Sequence, residues 1–238
     1  DPEPAMMLQG ILDLDVPSAG GDGKAIHLLV TEDIADLTSY GIGVANNGNG
    51  TDGQEYTFPE GSATAGMHIL VARSAEAMEA YGITGFDMVL EASSAISQNG
   101  NDAIELYFGG DVIEIFGDAD VNPDTFGGGC QGDPNCWDYE DAWAYKVDGA
   151  WSIADVNCTD DTTTTCESSC PYPFAECIDP PAMEVAVTTD GAIACSFTLL
   201  TKFLTTGRAT SASNKATRIS RIALLTSSSL SLLPRRPS

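Results

Sequence analysis

Ile104-Glu105-Leu106-Tyr107-Phe108-Gly109-Gly110-Asp111-Val112-Ile113-Glu114-Ile115-Phe116 is the most legible stretch of this sequence. Ile104, Leu106 and Phe108 recur at every second position, the period that sends alternate side chains to opposite faces of a strand. Gly109-Gly110 supplies two residues able to take positive φ, as a two-residue hairpin turn requires, and the chain returns over 112–116. Working outward, similar short runs bounded by Gly, Asn and Asp predict strands over 6–13, 25–30, 54–58, 67–72, 86–90, 103–108 and 142–147. One helical interruption is expected over 75–81, where Ser74 can cap a run of Ala, Glu and Met. Eight or so short strands with turns between them predict an all-β fold, a two-sheet sandwich.

Charge bounds the function. The 238 residues carry a formal net charge of −25, unevenly placed. Residues 1–195 hold all 35 acids against three bases (Lys24, Arg73 and Lys146), a net of −32, whereas 196–238 hold seven bases and no acid. A body this acidic repels phosphate backbones and anionic membrane surfaces, so neither nucleic acid nor a lipid headgroup layer is an expected partner. No run of 18 apolar residues exists, so no membrane insertion is expected. Divalent cations or cationic partners suit such a surface, and solubility alone would also account for it.

Seven cysteines, Cys130, Cys136, Cys158, Cys166, Cys170, Cys177 and Cys195, all fall in the second half. None forms a C-x-x-C pair and neither histidine is near them, so a tetrahedral zinc site fits poorly and disulfides of open pairing fit well. That places the protein in an oxidising compartment, extracellular or at the cell surface. The sequons at Asn49 and Asn157 agree with a secreted glycoprotein. The acidic opening Asp1-Pro2-Glu3-Pro4 has no leader character and reads as a chain already processed or cut from a longer one.

Composition divides the chain into a body over 1–155, a cysteine-rich extension over 156–195 and a basic Ser/Thr/Leu-rich tail over 196–238. The extension has few core-forming residues and is expected to depend on cross-links. The tail reads either as a flexible segment folding back on the acidic body or as an artefact of frameshift or unspliced intron, and its abrupt onset favours the artefact.

Four stretches taken in order carry a resemblance. They are Met7-Leu8-Gln9-Gly10-Ile11-Leu12-Asp13, Lys24-Ala25-Ile26-His27-Leu28-Leu29, Asn99-Gly100-Asn101-Asp102-Ala103-Ile104-Glu105-Leu106 and Trp137-Asp138-Tyr139-Glu140-Asp141-Ala142-Trp143-Ala144-Tyr145-Lys146. Together, with Gly41-Ile42-Gly43-Val44-Ala45-Asn46-Asn47-Gly48 as a long connecting loop, they resemble the lamin tail domain of secreted bacterial and algal proteins over roughly residues 6–155. The resemblance implies an immunoglobulin-like β-sandwich serving as a structural or accessory unit, with no catalytic residues to carry over. Cys130, Cys136 and the disulfide-rich C-terminal extension depart from that pattern.

Catalytic motifs are weak throughout. His27 and His68 lie within predicted strands, where a half-exposed pairing role is the ordinary one. No Gly-x-Ser-x-Gly elbow occurs, Gly21-Asp22-Gly23-Lys24 lacks Walker spacing, and carboxylate pairs in so acidic a chain arise by chance. Calcium is the one cofactor with a sequence basis. Asp118, Asp120, Asn122 and Asp124 place four side-chain oxygens at alternate positions, with Glu140 or Asp141 able to complete a shell. Asp13, Asp15 and Asp22 form a looser second candidate. Of the aromatic row, Trp143 and Tyr145 are expected to close the sandwich core, with Trp137 and Tyr139 left open. The expectation is therefore a non-enzymatic extracellular structural or adhesive module presenting loops to a protein or polysaccharide, calcium-stabilised and able to self-associate through edge strands. The alternative is an accessory domain of a secreted nuclease- or phosphatase-type hydrolase.

Overall fold

The computed structural model describes residues 3–17, 20–126, 137–177, 184–187 and 193–196. They fall in two compact units, 1–180 and 181–238. In chain order the strands are β1 (Met6–Leu14), β2 (Gly23–Val30), β3 (Tyr40–Ala45), β4 (Tyr56–Thr57), β5 (His68–Ala72), β6 (Met88–Glu91), β7 (Ala103–Phe108), β8 (Asp111–Phe116), β9 (Ala142–Val147), β10 (Ala150–Ile153), β11 (Glu184–Val187) and β12 (Ile193–Ser196). One short helix, α1 (Ala75–Ala80), interrupts them, and Ser74 caps it by accepting from the Ala77 amide. The fold is all-β.

In the first unit a six-stranded sheet runs β10-β9-β1-β2-β5-β6 and a four-stranded sheet runs β4-β3-β7-β8. Pairing is antiparallel except between β5 and β6, which α1 connects as a crossover. The second unit shows the antiparallel β11–β12 pair. The β7–β8 hairpin forms as read, with Gly109 and Gly110 at φ +64 and +94. The two sheets of the first unit face each other across one core, where Leu8, Ile11, Ile26 and Leu28 meet Ile42, Val44, Ile104 and Leu106. Burying these side chains supplies most of the driving force for folding. Glu114 on β8 ties the layers at one margin: it accepts from the Leu8 amide and from the Lys146 ammonium on β9.

The six-stranded sheet is buried on its other face as well. Leu12, Leu14, Ala25, Leu70 and Ala72 point outward into a second cluster with Met78, Tyr81 and Ile83 beside α1, and with Tyr172. Two-sided burial explains why β1 reads as a nearly continuous apolar run. A bulge between Leu8 and Gly10 shifts its register, so Leu8 and Ile11, three apart, both face the inner core.

Two expectations are corrected. Residues 41–48 are not a loop throughout: Tyr40–Ala45 is a fully buried strand between β4 and β7, and only 46–48 belong to the connection. Its glycines disguise it, and packing demands them, since a Cβ on Gly43 would lie 2.6 Å from the Gly53 carbonyl oxygen. Trp143 and Tyr145 do not close the core between the sheets: they pack in the outer cluster against Tyr172, while Ala144 of the same strand turns inward. Trp137 and Tyr139 are the aromatics of this row that enter the inner core, edge-on to Phe116. The 197–238 tail lies outside the described residues.

Candidate functional site

Carboxylates gather at one end of the first unit. The ends of β1, β3, β8 and β10 and the starts of β2, β7 and β9 meet there; Asp13 lies on β1 itself, and the connections carry Asp15, Asp102, Asp124, Asp138, Glu140, Asp141 and Asp160. Lys24 is the base that reaches them, and its Nζ is bonded to Asp13 at 2.6 Å. Even so, burial pushes the Asp13 carboxyl up to about 6. Asp141 is also raised to about 6, by burial first and then by Asp160, Asp15 and Glu140. Burial and neighbouring carboxylates raise Asp102, Asp138 and Glu140 in the same direction. Like charges crowded at a partly dehydrated surface disfavour ionisation, so this pole is electrostatically loaded.

A backbone frame holds the load in place. The Tyr139 amide donates to the Gly100 carbonyl at 3.0 Å and its hydroxyl to the Asp102 carbonyl at 2.8 Å, joining the 99–102 and 137–141 turns. Asp102 accepts from the Asn47 and Asn99 amides, fixing a third loop. Gly100 sits at φ +91 with Glu140 backbone so near that an added Cβ would lie 2.3 Å from its Cα. Gly100→Ala is therefore expected to cost about 3 kcal/mol or more, combining left-handed strain with a clash against main chain. Urea unfolding measures this, and a loss below about 1 kcal/mol would contradict the close approach.

The alternate-position quartet behaves differently from a ring of ligands. Asp118 accepts from the Asp120 amide at 3.0 Å and Asn122 from the Asp124 amide at 2.9 Å, two successive side-chain-capped turns. Asp124 instead accepts from the Asn101 amide nitrogen at 2.5 Å. Among the described residues no three acidic, histidine or cysteine side chains converge as a metal cage. Asp22 of the looser second group faces Arg73 at 3.9 Å. Asn49 and Asn157 are both exposed.

The histidines form a second, separate constellation. His27 is fully buried rather than half-exposed, and its Nδ1 lies 2.9 Å from the Tyr172 hydroxyl. Its Nε2 lies 2.7 Å from Nδ1 of half-buried His68. Phe86 and Phe174 pack against the His27 ring with centroids at 4.8 and 4.7 Å. Burial holds His27 down to about 3, so near neutral pH it is a poor proton acceptor. Its chemistry is that of a pin between the sheet and the cysteine-rich segment.

That segment is seated by cross-links. Cys158 with Cys170 and Cys166 with Cys177 stand at disulfide distance, Cα–Cα 5.8 and 5.3 Å. The Trp143 indole donates to the Cys170 carbonyl, and the Thr165 amide to the Tyr81 carbonyl. Cys130 and Cys136 lie outside the described residues. No helix among the described residues is long and apolar enough to cross a membrane.

A scan against protein-family models finds no match, and neither do searches of curated proteins and of solved structures.

Proposed function

We propose that this chain is a non-enzymatic extracellular binding module, an immunoglobulin-like sandwich of lamin-tail type over residues 6–155, that offers its acidic pole to a basic protein surface. The observation that carries this reading is the gathering of carboxylates at one pole, of which Asp15, Asp124, Glu140, Asp141 and Asp160 reach the surface while Lys24 is bonded to Asp13. Rigid strands displaying variable loops at one end are a common recognition architecture, and charge of one sign steers and selects partners of the other. A cationic protein suits such a surface better than a polysaccharide, whose recognition relies on exposed aromatic platforms; Trp137 and Tyr139 at this pole are buried in the core. The cysteine pairs support an oxidising, extracellular setting.

A lysine-rich peptide is the probe. Asp141→Asn with Asp160→Asn is expected to weaken binding at least about fivefold at low salt, because two charges leave the pole. Asp33→Asn with Asp36→Asn, in the loop entering the opposite end of β3, is expected to change it less than about twofold. Equal losses from both pairs would refute a pole-specific surface.

A further inference from the structure

Strand β8 is a free edge of the four-stranded sheet and, at six residues, the longest free edge of the first unit; β6 and β10 have four each and β4 has two. Two of the four large apolar side chains left exposed among the described residues lie on it, Val112 at 43% and Ile115 at 40%. Being three positions apart, they would face opposite sides of a regular strand. A bulge at Ile113 cancels that. Val112 stands opposite Tyr107 and Ile115 opposite Glu105, two apart on β7, so both side chains share the outer face.

The backbone follows the same logic. Gly109-Gly110 closes a two-residue turn, in which Phe108 and Asp111 exchange hydrogen bonds. Val112, the next residue, therefore turns its amide and carbonyl away from β7, and beyond the bulge so does Ile115. Among the described residues no turn or loop hydrogen bond reaches either backbone. Lysine, proline or an inward charge commonly guards such an edge. The inward charge here, Glu114, is spent on the Leu8 amide and the Lys146 ammonium.

We propose that β8 pairs with β8 of a second copy of this chain, antiparallel about a two-fold axis passing between Ile113 and Glu114. Val112 then meets Ile115 of the second copy, and Ile115 its Val112, each pair exchanging the main-chain bonds that the edge leaves open. β-Branched residues set opposite one another stabilise a sheet. No two acids face each other in this register, since Asp111 lies opposite Phe116 and Glu114 opposite Ile113. A bulge usually spoils pairing with a regular strand, but an identical strand carries the extra residue at the same place, so the free groups of both stay in step. This self-matching favours a second copy over a strand of another protein. The pairing joins two four-stranded sheets into one and closes on itself, so it stops at a dimer.

The net charge of −25 on each copy opposes association at low salt, and screening therefore strengthens it. Salt acts in the reverse sense on capture of a basic partner by the acidic pole, so the two readings fail separately. Sedimentation equilibrium of the full chain at about 0.05 and 0.5 M salt tests the dimer. A reversible monomer–dimer equilibrium is expected, at least about threefold tighter at the higher salt. Ile115→Lys should weaken it at least about tenfold, whereas Val89→Lys, on the exposed β6 edge, should change it less than about twofold. Adding Val112→Glu to Ile115→Lys should restore about threefold, because each glutamate then faces a lysine across the axis. A chain that stays monomeric to about 1 mM at the higher salt overturns the proposal. So does open-ended assembly, a Val89→Lys loss as large as that of Ile115→Lys, or a double variant no tighter than Ile115→Lys alone.

Discussion

Tyr172→Ala is expected to lower the stability of the oxidised protein by about 3–5 kcal/mol, as large-to-small changes at fully buried aromatics do. Tyr172 is 1% exposed and fills the outer cluster, its ring edge-on to Trp143 and Tyr145 at 5.9 and 5.6 Å. Truncation opens a cavity and also strips His27 Nδ1 of its partner. Tyr172→Phe separates the two effects: it keeps the ring and should cost only about 1–2 kcal/mol for the lost hydrogen bond. The residue reaches this position because its segment is looped by cross-links of sequence separation 12 and 11. Each loop of that size restrains the unfolded chain by roughly 3 kcal/mol on the chain-entropy account. Reduction should therefore unseat Tyr172, and under reducing conditions the Tyr172→Ala penalty should shrink well below its oxidised value. Urea midpoints with and without reductant test both statements. An oxidised loss under about 1 kcal/mol would mean that the segment does not pack on the sheet as described.

The same residues show what could be read from sequence and what could not. The β7–β8 hairpin was legible because its two physical signals, alternation and a glycine pair, are local. β3 was hidden because Gly41 and Gly43 look like turn formers, and only the fold reveals that loop 46–55 crosses close above them. Periodicity told correctly that Trp143 and Tyr145 share a face, yet it cannot say which face is inward when both are covered. For the same reason His27 looked like an ordinary strand residue until the Tyr172 segment came down over it. The choice of Cys158–Cys170 and Cys166–Cys177 was beyond sequence spacing, which leaves connectivity open. The acidic pole was foreshadowed by composition, but its members, Asp13 to Asp160, are brought together only by topology.

Acidification is expected to pull this protein in two directions, with maximum stability between about pH 4 and 5 rather than at neutrality. For Asp13 and Asp141 the folded chain holds a proton up to about pH 6 that the unfolded chain releases near its ordinary value of 3.8. Across that window the folded state binds more protons, so stability rises as pH falls; Asp102, Asp138 and Glu140 act in the same sense. His27 works oppositely. Its folded value is about 3 against an ordinary 6.5, so the unfolded chain binds the extra proton and stability drains away as pH falls from 6.5 towards 3. Between pH 6 and 4 the five raised carboxyls outnumber His27 and His68, which burial also lowers, and the balance favours folding, aided by relief of the −32 net charge on residues 1–195. Below about 3.8 the raised carboxyls are protonated in both states while His27 still discriminates, and stability turns down. His27→Gln isolates that limb. The difference in unfolding free energy between the original protein and the variant should change by about 4 kcal/mol from pH 7 to pH 3, at roughly 1.4 kcal/mol per unit over the His27 window. Urea midpoints taken at half-unit steps decide the matter: a profile peaking at pH 7, or a difference that stays constant with pH, would show that His27 is not sealed between the sheet and Tyr172.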